Sequence, residues 1–349
     1  MVSYNGALSL PWLAPALQNA LDTQRSHALL VQGPRGVGQF ELAIALAQGW
    51  LCEAPDASKP RPCGVCAACK LVQAHAHPDL LVLLPEALRE SLGWAGGASD
   101  AEEESAAAAT STDKSSKRKP SKDIRIDEVR LAIVFAQTTS ARGRGKVVVL
   151  HPVERMNMAS SNALLKTLEE PAGNSRLVLS TAAPDMLLPT LRSRCQIVPL
   201  GLPEASVSTA WLASQGIEQA DVLLAATGGQ PQEALQWAGE GITSAAWTGL
   251  PGQLARGEVG TLAAWPLARV IDMMQKLCHD LQRRCVGAAP RYFAAALPPS
   301  ASLPKLNAWS VELQAQVRHA EHPWNAALMV EALVAQARVA LTADSARTP

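Results

Sequence analysis

Apolar positions change period repeatedly along the chain until about Leu202. Leu13, Leu17 and Leu21 recur at i, i+4 and i+8, which predicts a helix over 11–24. His27–Val31 is a short apolar run and predicts a buried strand, and helical spacing returns over Phe40–Leu51. Further strands are predicted at Leu80–Leu84, Lys146–Leu150, Leu177–Thr181 and Gln196–Leu200. Between them fall helices over Asp127–Gln137 and from near Ser160 to Pro171, with Ser160 or Ser161 as the N-cap and Pro171 as the stop. Such alternation implies a parallel sheet covered by helices. Beyond Leu202 the strand signals cease. Short helices are expected over 204–243, broken at Gly228-Gly229, and mostly helix over 244–342, with no internal repeat. The expected architecture is one α/β domain, 1–202, followed by helical domains at 203–243 and 244–349.

From about Pro85 to Lys122 the pattern dissolves into Ala, Ser, Gly and Thr. An acidic run, Glu102-Glu103-Glu104, and a basic run, Lys117-Arg118-Lys119, lie within it. This predicts a flexible insertion with a disordered centre. The 349 residues are 48% hydrophobic but only 4% aromatic, so the cores are built of Leu, Ala and Val. Thirty-one basic residues balance 31 acidic ones, so overall charge speaks neither for nor against a nucleic-acid partner. Arg142, Arg144 and Lys146 form a candidate basic patch, with a solvated loop as the alternative. Met1–Leu10 has no basic start and no long apolar run, and no stretch approaches the ~18–20 apolar residues of a membrane span. A soluble cytoplasmic protein with no membrane partner is expected.

Four of the seven cysteines, Cys52, Cys63, Cys66 and Cys69, are spaced C-x10-C-x2-C-x2-C. Four thiolates suit one tetrahedral Zn²⁺ in a closed structural site; free thiols, a redox pair or an iron–sulfur cluster are the other readings. His75 and His77 lie nearby as surplus groups with structural roles.

The turn Gly33-Pro34-Arg35-Gly36-Val37-Gly38 sits between a predicted strand and a predicted helix. Gly33 and Gly38 have the spacing of a phosphate-binding loop, whose backbone N–H groups wrap phosphates. Such a loop ends in Lys, for the β and γ phosphates, and Ser or Thr, for Mg²⁺. Here those places hold Gln39 and Phe40. Carboxylates should also follow a core strand, yet Val147–Leu150 leads into His151-Pro152, and Glu154 falls past the expected position as a solvated loop residue. The frame of a P-loop is present without the groups of an ATPase. Leu191-Arg192-Ser193-Arg194-Cys195 precedes the last core strand, and Arg194 is open to two readings, a surface ion pair or an arginine finger directed at a neighbour's nucleotide.

Several segments together resemble the delta-prime family of bacterial DNA polymerase III clamp-loader subunits. They are Arg25–Leu30, the four cysteines, His77-Pro78-Asp79, Ile124–Arg130, Ser161–Pro171 and Ser193-Arg194-Cys195. The resemblance spans roughly 10–84 and 123–240, weakens over the last hundred residues and is absent from the insertion. It implies an AAA+-type P-loop domain with parallel sheet and inserted zinc module (about 52–69), a small helical lid domain and an all-α collar domain. It also implies a non-hydrolysing stator of a hetero-pentameric ring with gamma/tau and delta subunits, which loads the sliding clamp onto primed DNA. The subunit would belong to a DNA polymerase holoenzyme and have no ATPase activity of its own. Arg194, within the motif Ser193-Arg194-Cys195, would act in the neighbouring ATP site, while the loop at Gly33, Gly38 and Gln39 would stay empty. Gln232, in Gly229-Gln230-Pro231-Gln232, stands where ATPase relatives keep a lid arginine. The competing readings are an active gamma/tau-type ATPase and a zinc-dependent nucleic-acid-binding protein outside any ring.

Overall fold

Strands apolar on both faces must be covered on both, and the chain supplies helices for each side. The computed structural model describes residues 7–24, 26–54, 61–94, 120–293, 297–298, 302–318 and 325–342. These residues fall into two compact units, Met1–Pro203 and Glu204–Pro349.

In the first unit the strands are β1 (Ala28–Gln32), β2 (Leu80–Leu83), β3 (Val147–Leu150), β4 (Arg176–Thr181) and β5 (Gln196–Pro199). They form a five-stranded, fully parallel sheet in the order β2-β3-β4-β1-β5. Gln32 pairs with both Thr181 and Pro199, and Leu83 pairs with Leu150, so the carboxyl ends of the strands share one edge. The covering helices are α1 (Ala14–Thr23), α2 (Gln39–Leu51), α3 (Ala67–Gln73), α4 (Glu86–Arg89), α5 (Ile126–Gln137), α6 (Met158–Glu169) and α7 (Pro189–Arg192). On one face Leu30, Val148, Leu150, Leu177 and Leu179 pack with Val129 and Ala132 of α5 and with Leu164 and Leu168 of α6. The period of two sends Leu29, Val31, Val147, Val149 and Val178 to the opposite face, where α2 packs on β3 and β4. Helix α2 is buried almost all round, as its run Leu42-Ala43-Ile44-Ala45-Leu46-Ala47 requires.

Two expectations change here. Helix α6 starts before Ser160: Asn157 is the N-cap, its Oδ1 accepting from the Ser160 N–H at 2.8 Å, and both serines are buried inside the helix. The two ends of the supposed flexible stretch Pro85–Lys122 are ordered. Arg89 pairs with Glu128 of α5 at 2.9 Å, the Ser121 N–H donates to Glu86 at 3.0 Å, and Trp94 is buried. An ion pair, a hydrogen bond from a backbone N–H and one large apolar side chain anchor these ends, whatever the composition between them. Its centre, 95–119, including both charge runs, lies outside the described residues.

Among the described residues of the second unit the regular elements are all helical: α8 (Ala205–Ser214), α9 (Ala220–Ala226), α10 (Pro231–Gly239), α11 (Ser244–Arg256), α12 (Leu267–Cys285), α13 (Leu303–Val317) and α14 (Ala326–Leu341). A single core joins Leu212 to Leu341. Gly228 and Gly229, both at positive φ, end α9 where the break was expected. Trp247 stacks on Phe293 at 4.6 Å and lies 5.3 Å from Trp237. The segment holding Phe293 is pinned by Asp280 of α12, whose buried carboxylate accepts from the N–H groups of Arg291, Tyr292 and Phe293 at 2.9, 2.7 and 2.8 Å. Replacing Asp280 by Ala leaves these donors without their acceptor, and a loss of about 3 kcal/mol is expected in urea unfolding. No helix among the described residues is long and apolar enough to cross a membrane.

Candidate functional site

The glycine loop leaves β1 at the shared edge of the sheet. Gly33 runs so close to the end of β5 that a Cβ there would lie 2.1 Å from the Leu200 carbonyl oxygen. Gly38 has φ of 100°, a left-handed value that a side chain would strain. Leu10 and Leu13 pack over it, and the Trp12 indole donates to the Val37 carbonyl at 2.8 Å. At the lysine's place, Gln39 is buried and turned back on the loop. Its Nε2 donates to the carbonyls of Gly33, at 2.8 Å, and of Pro34. The loop is thus bound to its own helix by a neutral amide.

Phe40, at the place of the Mg²⁺-binding hydroxyl, is buried in an aromatic cluster. Its ring lies 5.3 Å from His151 and meets Trp94 edge-on at 5.9 Å, while Trp94 stacks on His75 at 3.8 Å. His151 stands at the end of β3, at the place of a metal-binding carboxylate. Its Nδ1 is hydrogen-bonded to the Ser180 hydroxyl at 2.9 Å, and burial pushes its pKa down to about 4, so the ring is neutral at neutral pH. A neutral imidazole beside a phenyl ring supplies neither charge nor oxygen to a hard cation such as Mg²⁺. Glu154 is not the solvated residue expected of it. The turn Val153–Arg155 carries Glu154 Oε1 to the Ala182 N–H at 3.2 Å, and its Oε2 is shut off from solvent without a hydrogen-bond partner among the described residues. Trp94, which closes the cluster, could have been noticed as the one large apolar side chain between Leu92 and Ile124.

Cys52, Cys63, Cys66 and Cys69 converge, with all four Sγ atoms within 4.8 Å of one another. Cys52–Cys66 and Cys63–Cys69 are 4.0 and 3.9 Å apart. A tetrahedron with Zn–S bonds of about 2.3 Å has sulfur–sulfur edges of about 3.8 Å, so the cluster is compatible with zinc. Backbone N–H groups also point at the sulfurs: Glu53 and Cys69 donate to Cys66, Cys63 to Cys52, and Cys66 to Cys63, at 3.4–3.5 Å. Such donors suit thiolates. Burial raises the Cys52 and Cys69 thiols, whereas at Cys63 the N–H groups of Val65 and Cys66 outweigh burial and bring the pKa to about 7. His75 and His77 stay outside this set, His75 on Trp94 and His77 accepting the Asp79 N–H at 3.0 Å.

The proposed basic patch is committed to structure at two of its three residues. Arg142 forms a two-pronged pair with Glu53, at 2.6 and 2.8 Å, and Lys146 pairs with buried Asp79 at 3.1 Å. Asp79 also accepts from the N–H groups of Ala141 and Arg142 and from the Ser140 hydroxyl, at 2.7, 2.9 and 2.9 Å. One loop, 140–146, therefore ties the cysteine module to the entrance of β2. In the sequence Asp79 stands out only within the segment His77-Pro78-Asp79 that carries the family resemblance.

Arg194 lies at the surface just ahead of β5. Its guanidinium pairs with Glu169, the last residue of α6, and Nη1 donates to the Thr190 carbonyl at 2.8 Å. Ser193 closes the same turn through its hydroxyl to Thr190 O at 3.1 Å, and Cys195 is buried in the core, which pushes its thiol up to about 12. Gln232 lies in the second unit, on α10.

A glycine loop leaving β1 of a parallel sheet for the following helix defines the frame of a P-loop domain, here without the loop's lysine and hydroxyl. Residues 11–203 match the family described as DNA polymerase III, delta subunit, and the chain belongs to that family. It is 38% identical over 223 residues to DNA polymerase III subunit delta' of Pseudomonas aeruginosa, covering 63% of this chain and 58% of that protein. The corresponding Escherichia coli protein is 32% identical over 232 residues, 64% of this chain and 59% of its own length. DNA polymerase III subunit tau of Salmonella typhimurium is 33% identical over 181 residues, 52% of this chain and 22% of the relative. The chain spans about three fifths of the length of the delta' relatives it matches.

Proposed function

We propose that the chain is a non-hydrolysing, delta-prime-type subunit of the DNA polymerase III clamp loader. It would assemble with gamma/tau and delta subunits into a hetero-pentameric ring that loads the sliding clamp onto primed DNA in the cytoplasm. Residues 203–243 serve as the lid domain and 244–349 as the collar that joins the ring. The four cysteines hold one structural Zn²⁺. The observation that carries the reading is the inverted allocation of chemistry. The phosphate loop is fastened by the amide of Gln39 and followed by Phe40, which is buried against His151, while the guanidinium of Arg194 is held at the surface. A subunit built this way contributes charge to a neighbour's site and performs no turnover in its own. A fixed positive charge beside the transferring phosphoryl group stabilises the charge that develops there.

The isolated chain is expected to show no Mg-ATP turnover. In the assembled complex, Arg194→Ala should leave this subunit folded and lower single-turnover hydrolysis at the adjacent site by about 10²-fold or more. Unchanged hydrolysis in the complex would remove the finger assignment. Micromolar Mg-ATP binding with turnover by the isolated chain would favour the gamma/tau-type reading.

A further inference from the structure

We propose that Glu169 is a positioning residue for Arg194, holding the guanidinium by its Nε–Nη2 side so that its remaining N–H groups are kept for a phosphoryl group of the neighbouring subunit. This rests on Arg194 acting as the finger. A guanidinium carries five N–H groups, one on Nε and two on each terminal nitrogen. Nε and Nη2 both contact the same oxygen of Glu169, Oε1, and Nη1 donates to the Thr190 carbonyl. These contacts leave one N–H on Nη1 and one on Nη2 to meet phosphate oxygens, which guanidinium groups bind well.

The supports of this clamp are rigid. Glu169 follows buried Thr167 and Leu168 at the end of α6, and Thr190 precedes buried Leu191. Thr190 O accepts from Ser193 as well as from Arg194, so the hydroxyl of the motif fixes the very carbonyl that steadies the arginine. Cys195 anchors the other side in the core. Each residue of Ser193-Arg194-Cys195 thereby has a task, and Glu169 completes the set from another helix. Both side chains of the pair remain partly open to solvent, 31% for Arg194 and 46% for Glu169. A pair so exposed adds little to stability, whereas orienting a charged group matters steeply to a reaction rate. A carboxylate gripping both terminal nitrogens would compete with phosphate; this one approaches from the Nε–Nη2 side and leaves an N–H on each terminal nitrogen.

The test is single-turnover hydrolysis by the complete complex at varied Mg-ATP. Glu169→Ala is expected to lower the rate at the adjacent site about tenfold with KM for ATP unchanged. Glu169→Gln, which keeps an acceptor oxygen in place, should recover most of the rate, whereas Glu169→Asp, too short to reach, should stay slow. Arg194→Ala combined with Glu169→Ala should be no slower than Arg194→Ala alone. Glu169→Ala at the native rate or faster, a double variant slower than Arg194→Ala, or equal rates for the Gln and Asp variants would each overturn the positioning role. If Arg194→Ala is slow while Glu169→Ala is normal, the finger stands and only the positioning falls. If Arg194→Ala itself is normal, both fall.

Discussion

Asp79→Ala is expected to destabilise the first unit by about 4 kcal/mol. The substitution removes the acceptor of two backbone N–H groups and a hydroxyl, and it strands the ammonium of Lys146, whose side chain is only 9% exposed. Breaking one side of a buried ion pair costs about 3–5 kcal/mol. Lys146 retains the Pro78 carbonyl at 3.2 Å and the face of Phe135 at 4.3 Å, which soften the loss without replacing the charge. The carboxylate also makes a pH prediction. Burial alone would raise its pKa, but the N–H groups of Ala141 and Arg142, then Lys146 and Ser140, outweigh burial and hold the value at about 2, below the ordinary 3.8. Because the folded pKa is depressed, the unfolded chain takes up the proton first. The stabilisation is complete above about pH 4 and is lost as pH falls towards 2. Its size is about 2–3 kcal/mol, from a shift of roughly two units at 1.36 kcal/mol each. Urea unfolding of the native chain and of Asp79→Ala between pH 6 and pH 2.5 should converge as the pH falls. Parallel curves would contradict the assignment.

Removing metal from the cysteine cluster is expected to have the larger effect. Free energy of metal binding is free energy of folding when the site forms only in the folded chain, and structural zinc in small modules supplies about 10 kcal/mol or more. Here the module is also stitched to the sheet by Glu53–Arg142 and capped through Cys66 onto α3, so part of it should persist without metal. A loss of several kcal/mol, on the order of half the module value, is the expected outcome. The full chain should carry one zinc, and chelation or Cys69→Ser should lower the melting temperature of the first unit, with recovery of the chelated chain on adding zinc back. A chain that purifies with no metal, or melts identically after chelation, would rule out a structural zinc site.

Much of the α/β frame was legible because its signals are local. Val147-Val148-Val149-Leu150 can satisfy its apolar faces only inside a covered sheet, and Gly33 with Gly38 marks a turn between strand and helix. The cysteine spacing likewise encodes short turns that bring sulfurs together. The N-cap of α6 differs from the expected serine because Asn157 and Ser160 are equally plausible caps in sequence, and the bond from the Ser160 N–H to Asn157 Oδ1, with both serines buried inside the helix, decides between them. Glu154 was misjudged because proximity in the chain to an exposed turn says nothing about the strand end above it.

By itself, then, the sequence determined the parallel frame, the chemical incompleteness of the phosphate loop and the grouping of four thiols, since each is signalled by residues close together in the chain. Tertiary structure alone decided what lies across the chain: Asp79 against 140–146, Arg142 against Glu53, Trp94 and His151 against Phe40, and Glu169 against Arg194. Those contacts join segments whose separation in sequence carries no signature, because a carboxylate or an aromatic ring reveals its partner only when folding brings the two within a few ångströms. The phosphate loop was recognisable as chemically incomplete from Gln39 and Phe40. That the amide fastens the loop and the ring packs on His151 and Trp94 became evident only in the fold.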